Sequence, residues 1–160
     1  MEQRERDGRG RPLNARPRDG LGRPLARGAE GVARVPEEIL LTPAQALAEA
    51  QRLLDAGMPF HAHEVLEGSW KTSPDPEREL WQGLAQLAVG LTHLLRGNRV
   101  GAQSLLRRGR DRIRGFELDP PYGLDVAGLV AWSEGVLDTL AVGGVVSPAQ
   151  TAPRLLRAPE

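Results

Sequence analysis

Residues 80–95 read Leu-Trp-Gln-Gly-Leu-Ala-Gln-Leu-Ala-Val-Gly-Leu-Thr-His-Leu-Leu. On a helix of this sequence, apolar side chains occur nearly all the way round, which is typical of a buried central helix. The pattern predicts a helix from about residue 77 to residue 96. Gly83 and Gly90 lie seven residues apart on one side of it, so another helix can approach closely there.

Two further helices are predicted on each side of this central helix. Few β-branched residues occur in the segment, no alternating strand pattern persists, and Thr42 before Pro43 is a typical helix start. Short connections between successive helices favour antiparallel neighbours. The sequence therefore predicts an all-α fold, a single bundle of about five helices built from antiparallel helical hairpins over residues 37–141. The four outer helices are expected at about 43–56, 59–71, 100–115 and 125–140.

One pattern recurs after forty residues. Each copy is a helix end, a glycine turn, and a helix start that carries a small residue at the helix crossing. The copies are Leu54, Gly57, Ala62 and Leu66, then Leu94, Gly97, Ala102 and Leu106. The pattern is similar to that of tetratricopeptide repeats, whose period is about 34 residues and whose arrays need at least three repeats.

The segments that flank the helices differ from them in composition. Residues 1–36 contain nine Arg and five acidic residues with many Gly and Pro, which predicts an extended or disordered arm. Such an arm is either a solvated tail or a basic strap that docks on a partner, on nucleic acid or on its own domain. Residues 142–160 are also rich in Gly and Pro, and a loose tail is expected there.

Composition excludes several classes of protein. The 21 basic and 21 acidic residues balance, which argues against a nucleic-acid partner despite the arginines of the fourth helix. The absence of cysteine excludes disulfide scaffolds, thiol nucleophiles and Cys-based metal sites. No signal-peptide core follows Met1, and residues 84–95 are too short to span a membrane. A soluble cytoplasmic protein is therefore expected.

Polar side chains are expected to meet between the second and third helices. Helical spacing places Phe60, His63, Glu67 and Trp70 on one side of the second helix, and Gln82, Gln86 and His93 on one side of the third. A buried carboxylate is costly unless it is paired. Because Glu67 shares its side of the helix with two aromatic residues, we expect it to have a hydrogen-bonding or charged partner. We call the following set the polar cluster: His63, Glu64, Glu67, Trp70, Gln82, Gln86 and His93.

Three interpretations of the polar cluster compete. In the first, a hydrogen-bonded network with an i,i+4 pair of His63 and Glu67 fixes the helix register. In the second, His63, Glu67 and His93 bind a divalent metal ion, although the HExxH signature of zinc proteases fails because Glu67 replaces its second histidine. In the third, a pocket between the helices binds a small ligand or carries out metal-free acid/base chemistry.

The same residues resemble the signature of a bacterial and archaeal family, domain of unknown function 309. That signature resembles F-x-x-H-E-x-x-E-x-x-W, then Q-G-L-x-Q-x-A-x-x-x-x-H, then G-N-x-x-G-A-x-x-L-L. The matching residues, spread over about 50–115, are Phe60, His63, Glu64, Glu67, Trp70, Gln82, Gly83, Leu84, Gln86, Ala88, His93, Gly97, Asn98, Gly101, Ala102, Leu105 and Leu106. The arm resembles extensions of actinobacterial members. The resemblance implies an all-α bundle and no established activity.

The leading functional hypothesis is therefore a small cytoplasmic helical protein that binds a ligand or ion at the polar cluster, with hydrolase-like chemistry as its extension. The alternative is a non-enzymatic interaction module of tetratricopeptide-like hairpins in which the cluster is structural. The sequence leaves open whether the protein is an enzyme. It also leaves open a homo-oligomer or protein partner, because Trp81 could face either the core or a second subunit.

Overall fold

A computed structural model of the chain describes residues 41–158, and this part contains five α-helices. They are α1 (Pro43–Asp55), α2 (Pro59–Thr72), α3 (Asp75–Leu95), α4 (Arg99–Ile113) and α5 (Val126–Ala141). The all-α fold predicted from the sequence is confirmed. The arm expected at residues 1–36 lies outside the described residues. Within 41–158, no helix combines the length and the apolar character needed to cross a bilayer.

Helix boundaries follow from local chemistry. The Thr42 hydroxyl accepts a hydrogen bond from the Gln45 amide, and the Gln45 side chain accepts one from the Thr42 amide, so α1 begins with a capping box. The Asn98 side chain caps α4 in a similar way by accepting from the amide of Gly101. Gly57 and Gly97 adopt φ values of 75° and 82° at the two turns of the forty-residue repeat. These two glycines allow the chain to reverse between helices.

Successive helices pack on one another, and α3 packs on both α2 and α4. Trp81 of α3 is fully buried, which answers the open question of whether it faces the core or a second subunit. The close approach predicted at Gly83 and Gly90 is confirmed, and the approaching helix is α4. A Cβ atom at Gly109 of α4 would lie only 2.8 Å from the Gly83 carbonyl oxygen. Because neither glycine has a side chain, the two backbones can touch.

Residues 147–157, which we call the strap, fold back onto the bundle. Leu155 is 3% exposed, and Leu124 and Leu156 form an isolated antiparallel bridge. The Gln51 side chain of α1 and the Trp132 indole of α5 both hydrogen-bond to the strap. The loose tail expected from the Gly/Pro-rich composition is therefore wrong for these residues, because tertiary contacts order a segment with no helical or strand periodicity.

Candidate functional site

The centre of the polar cluster is a group of contacts within α2 around the Glu67 carboxylate. His63 Nε2 lies 3.0 Å from Glu67 Oε2, and Lys71 Nζ lies 3.6 Å from Glu67 Oε1. The i,i+4 pair predicted from the sequence is thus confirmed. The side chains of His63 and Glu67 are 21% and 32% exposed, so the pair is half-buried and not sealed in the core.

This environment keeps the Glu67 carboxylate ionised. The hydrogen bond from His63 lowers the pKa of Glu67 to about 2, against burial that raises it, and Lys71 adds a smaller lowering. A carboxylate in this state can only accept hydrogen bonds. Glu67 therefore supplies a fixed negative charge to the face of α2.

We expect Glu67→Gln to lower the free energy of unfolding by about 1 kcal/mol at neutral pH, a modest value because a third of the side chain is exposed. The folded pKa of about 2 lies below the usual 4.5, so this stabilisation is complete above pH 4.5 and disappears as the pH falls towards 2. Urea unfolding of both proteins between pH 2 and pH 7 measures the difference.

His63→Gln is expected to remove most of the same effect, since the histidine hydrogen bond is the main cause of the low pKa. Lys71→Met is the matched control, and its effect should be smaller because Lys71 lies farther from the Glu67 carboxylate than His63 does. A difference between wild type and Glu67→Gln that stays constant down to pH 2 would contradict the ionised pair.

On α3, the two glutamines of the polar cluster have different surroundings. Gln82 Oε1 accepts a hydrogen bond of 3.2 Å from Arg112 Nη1 of α4, and the same nitrogen pairs with Glu79 at 2.7 Å. The sequence analysis missed Arg112, because a cross-helix pair leaves no spacing signal within one helix. In contrast, Gln86 Oε1 is buried with no hydrogen-bond partner among residues 41–158, and the same is true of His63 Nδ1.

His93 lies at the other end of α3, beside the turn into α4. Its Nδ1 is 3.1 Å from Asn98 Nδ2, and a Cβ atom at Gly101 would lie 2.9 Å from its Cγ. Burial, with a smaller contribution from Arg96, lowers the pKa of His93. His93 thus packs against the start of α4.

The three-ligand metal site predicted at His63, Glu67 and His93 is not assembled among residues 41–158. In the described part of the chain, no three His, Cys, Asp or Glu side chains lie close enough together to hold a metal ion. The helical spacing along α3 suggested that His93 faces α2, whereas its contacts are with Asn98 and Gly101 at the start of α4.

The polar cluster lies apart from a cavity in the apolar centre of the bundle. This cavity has a volume of about 10 Å³, room for about one water, and is lined by apolar side chains of α1, α2, α3, α5 and the strap. None of its lining residues belongs to the cluster. All seven cluster residues are instead partly exposed, on α2 and α3. The arrangement is a half-buried polar surface.

Comparison with known proteins finds similarity over the segment that contains this surface. The model of the family described as "Domain of unknown function (DUF309)" matches residues 47–105. The uncharacterized protein YpuF of Bacillus subtilis (strain 168) is 46% identical over 48 residues, which are 29% of this chain and 28% of that protein. No solved structure matches. The matched segment 47–105 contains every residue of the polar cluster, so the similarity to the DUF309 family includes the residues of this site.

Proposed function

We propose that the polar cluster binds a small polar ligand on the surface formed by α2 and α3. The observation that carries this proposal is that His63 Nδ1 and Gln86 Oε1 are buried without a hydrogen-bond partner among the described residues. A buried polar atom without a partner costs about 1–3 kcal/mol. Both residues are partly exposed, whereas these two atoms have almost no solvent-accessible surface, so a ligand supplies the missing hydrogen bonds when the side chains turn outward to meet it.

The chemistry of these atoms indicates what the ligand offers. The Glu67 carboxylate and Gln86 Oε1 only accept hydrogen bonds. His63 Nε2 faces Glu67, so this nitrogen carries the hydrogen and, in the neutral ring, Nδ1 is an acceptor. A ligand with N–H or O–H donors, such as an amine or an amide, complements all three groups. The negative charge of Glu67 favours a cationic amine over a neutral amide.

The hydrolase-like chemistry expected from the sequence would use the same pair. A carboxylate that holds one imidazole nitrogen leaves the other as a general base, which could take a proton from a bound water or hydroxyl. His63 Nδ1 has almost no solvent-accessible surface. We therefore propose that the cluster binds a ligand. We propose catalysis only for a ligand that directly contacts His63 Nδ1. The cytoplasmic location stays a prediction from the sequence.

Ethylamine and acetamide are suitable probes, observed through the imidazole nitrogen signals of ¹⁵N-histidine-labelled protein. We expect a saturable shift of the His63 signals, larger with ethylamine. Gln86→Leu should abolish saturation without destabilising the fold, because it removes a buried acceptor that has no partner within residues 41–158. Gln103→Leu on α4, outside the polar cluster, is the matched control and should keep the response. Linear shifts that are equal in all three proteins would overturn the proposal.

The succession of hairpins from α1 to α4 favours a second candidate, a non-enzymatic interaction module. In such a module the His63–Glu67 pair would serve only to fix helix register. Substitution of Glu67 would then change stability and leave the histidine signals insensitive to both probes. The two candidates therefore predict opposite outcomes for the same titration.

A further inference from the structure

The strap lies in a groove between α1 and α5, and side chains of both helices form hydrogen bonds to its backbone. Gln51 Nε2 donates to the Pro153 carbonyl at 3.0 Å, and Gln51 Oε1 accepts from the Leu155 amide at 2.8 Å. A single side-chain amide thus satisfies one acceptor and one donor of an extended segment, as a neighbouring strand would. The Trp132 indole donates to the Gln150 carbonyl at 2.7 Å on the other side of the groove.

Side chains of the strap add specificity to these backbone contacts. Leu155 is 3% exposed and enters the apolar centre of the bundle, where the cavity of about 10 Å³ remains beside it. Arg154 pairs with Asp55 at the end of α1. The groove therefore combines backbone hydrogen bonds, an apolar pocket and one acidic group, which together fit a Pro-Arg-Leu segment in extended form.

The connection from α5 to the strap runs over the surface. Val142 and Val145 are 84% and 89% exposed, so they contribute little to holding the strap in place. Arg99 donates to the carbonyls of Leu140 and Gly144 and so holds the end of α5. A pivot at Val145, beyond this anchor, can release the strap together with Val146, which packs against the core, and leave all five helices packed.

We propose that the groove between α1 and α5 is an exchangeable peptide-binding site, and that its occupant in trans is the strap of a second copy of this chain. The second copy presents the same proline carbonyl, leucine side chain and arginine, so every contact made within one chain is reproduced between two. Reciprocal exchange closes a two-fold dimer without exposing a new surface. This inference is independent of the function proposed for the polar cluster.

A fluorescent synthetic peptide of residues 147–157 tests the groove in the full chain. Binding to the wild type should be weak, because the tethered strap competes at a local concentration of about millimolar. Leu155→Ala in the protein weakens the tethered strap, and we expect it to raise affinity for the peptide about tenfold or more. Adding Gln51→Ala to that variant removes two of the hydrogen bonds to the strap backbone and should reduce the gain.

The peptide-binding experiment has two controls, one in the peptide and one in the protein. A peptide with Leu155→Asp should bind none of the proteins. Arg154→Ala is a milder strap variant that keeps the buried leucine, and it should raise peptide affinity to a lesser extent if Leu155→Ala fails to fold. Affinity that is unchanged in both strap variants would overturn the proposed site.

Size-exclusion chromatography with light scattering tests whether the strap of a second copy occupies the groove, because such an exchange forms a dimer. Wild type at high concentration should form a dimer that dissociates slowly on dilution, and an excess of the peptide should convert it to monomer. Peptide binding without any dimer would overturn the second copy as the occupant, although the groove would remain a peptide site.

Discussion

Gly109→Ala is expected to lower the free energy of unfolding by about 2–4 kcal/mol. The added Cβ atom would lie 2.8 Å from both the Gly83 carbonyl oxygen and Leu87 Cγ, which is closer than such contacts allow. Because one of these atoms belongs to the backbone of α3, relief requires the two helices to move apart. Urea unfolding followed by circular dichroism measures the loss.

Gly68→Ala and Gly135→Ala are the matched controls for that substitution. Both glycines lie inside helices, and a Cβ atom at either position would meet nothing within 4 Å. Alanine has the higher helix propensity, so each control should gain up to about 1 kcal/mol. If Gly109→Ala behaved like these two variants, the close contact between α3 and α4 would be contradicted.

Trp81→Ala is expected to cost about 3–5 kcal/mol, the range for truncating a large buried aromatic residue. Trp81 is fully buried, and its indole nitrogen donates to Glu77 Oε1 at 3.3 Å. The substitution would leave a cavity in the centre of the bundle and remove this hydrogen bond. Thermal and urea unfolding should both report the loss.

Tyr122→Phe provides the comparison for Trp81→Ala. The Tyr122 hydroxyl donates to the same Glu77 oxygen at 2.6 Å, but its side chain is 42% exposed. Removing this hydroxyl should cost about 1 kcal/mol, because only one hydrogen bond is lost. A smaller loss for Trp81→Ala than for Tyr122→Phe would contradict the buried position of the tryptophan.

The sequence predicted all five helices, because hydrophobic periodicity and caps are local signals. Every predicted boundary lies within two residues of the observed one, and the largest differences, of two residues, are at the start of α3 and the end of α4. Helix α3 begins at Asp75, because a proline such as Pro76 is tolerated in the first turn of a helix, where no intrahelical N–H partner is needed. The helix-approach glycines were also readable, since Gly83 and Gly90 share one side of a nearly all-apolar helix.

Within the candidate site, the sequence predicted the His63–Glu67 pair and failed at His93. An i,i+4 pair within one helix depends only on helix geometry. The approach of His93 to α2 depends on its level along α3, and His93 lies seven residues beyond Gln86, about 10 Å along the helix axis. Periodicity identifies a face and carries no information on how far two helices overlap.

The strap could not be predicted for a different reason. Its order comes from contacts with Gln51, Trp132 and the apolar centre, all of them distant in sequence. A segment with two prolines and no repeating pattern gives no local sign of such contacts. Leu155 is the one large residue of the strap that is buried, and its burial could not be predicted without the position of the groove.

The tautomer of His63 in the free protein is the most direct measurement of the chemistry proposed for the polar cluster. At pH 8, imidazole ¹⁵N shifts should show a proton on Nε2, held by Glu67, and a bare Nδ1, and Glu67→Gln should weaken this preference. The account would be contradicted by a proton on Nδ1, or by the mixture of tautomers typical of a histidine free in solvent. Either result would mean that Glu67 does not hold the imidazole through Nε2 and that Nδ1 is not available to accept a hydrogen bond from a ligand.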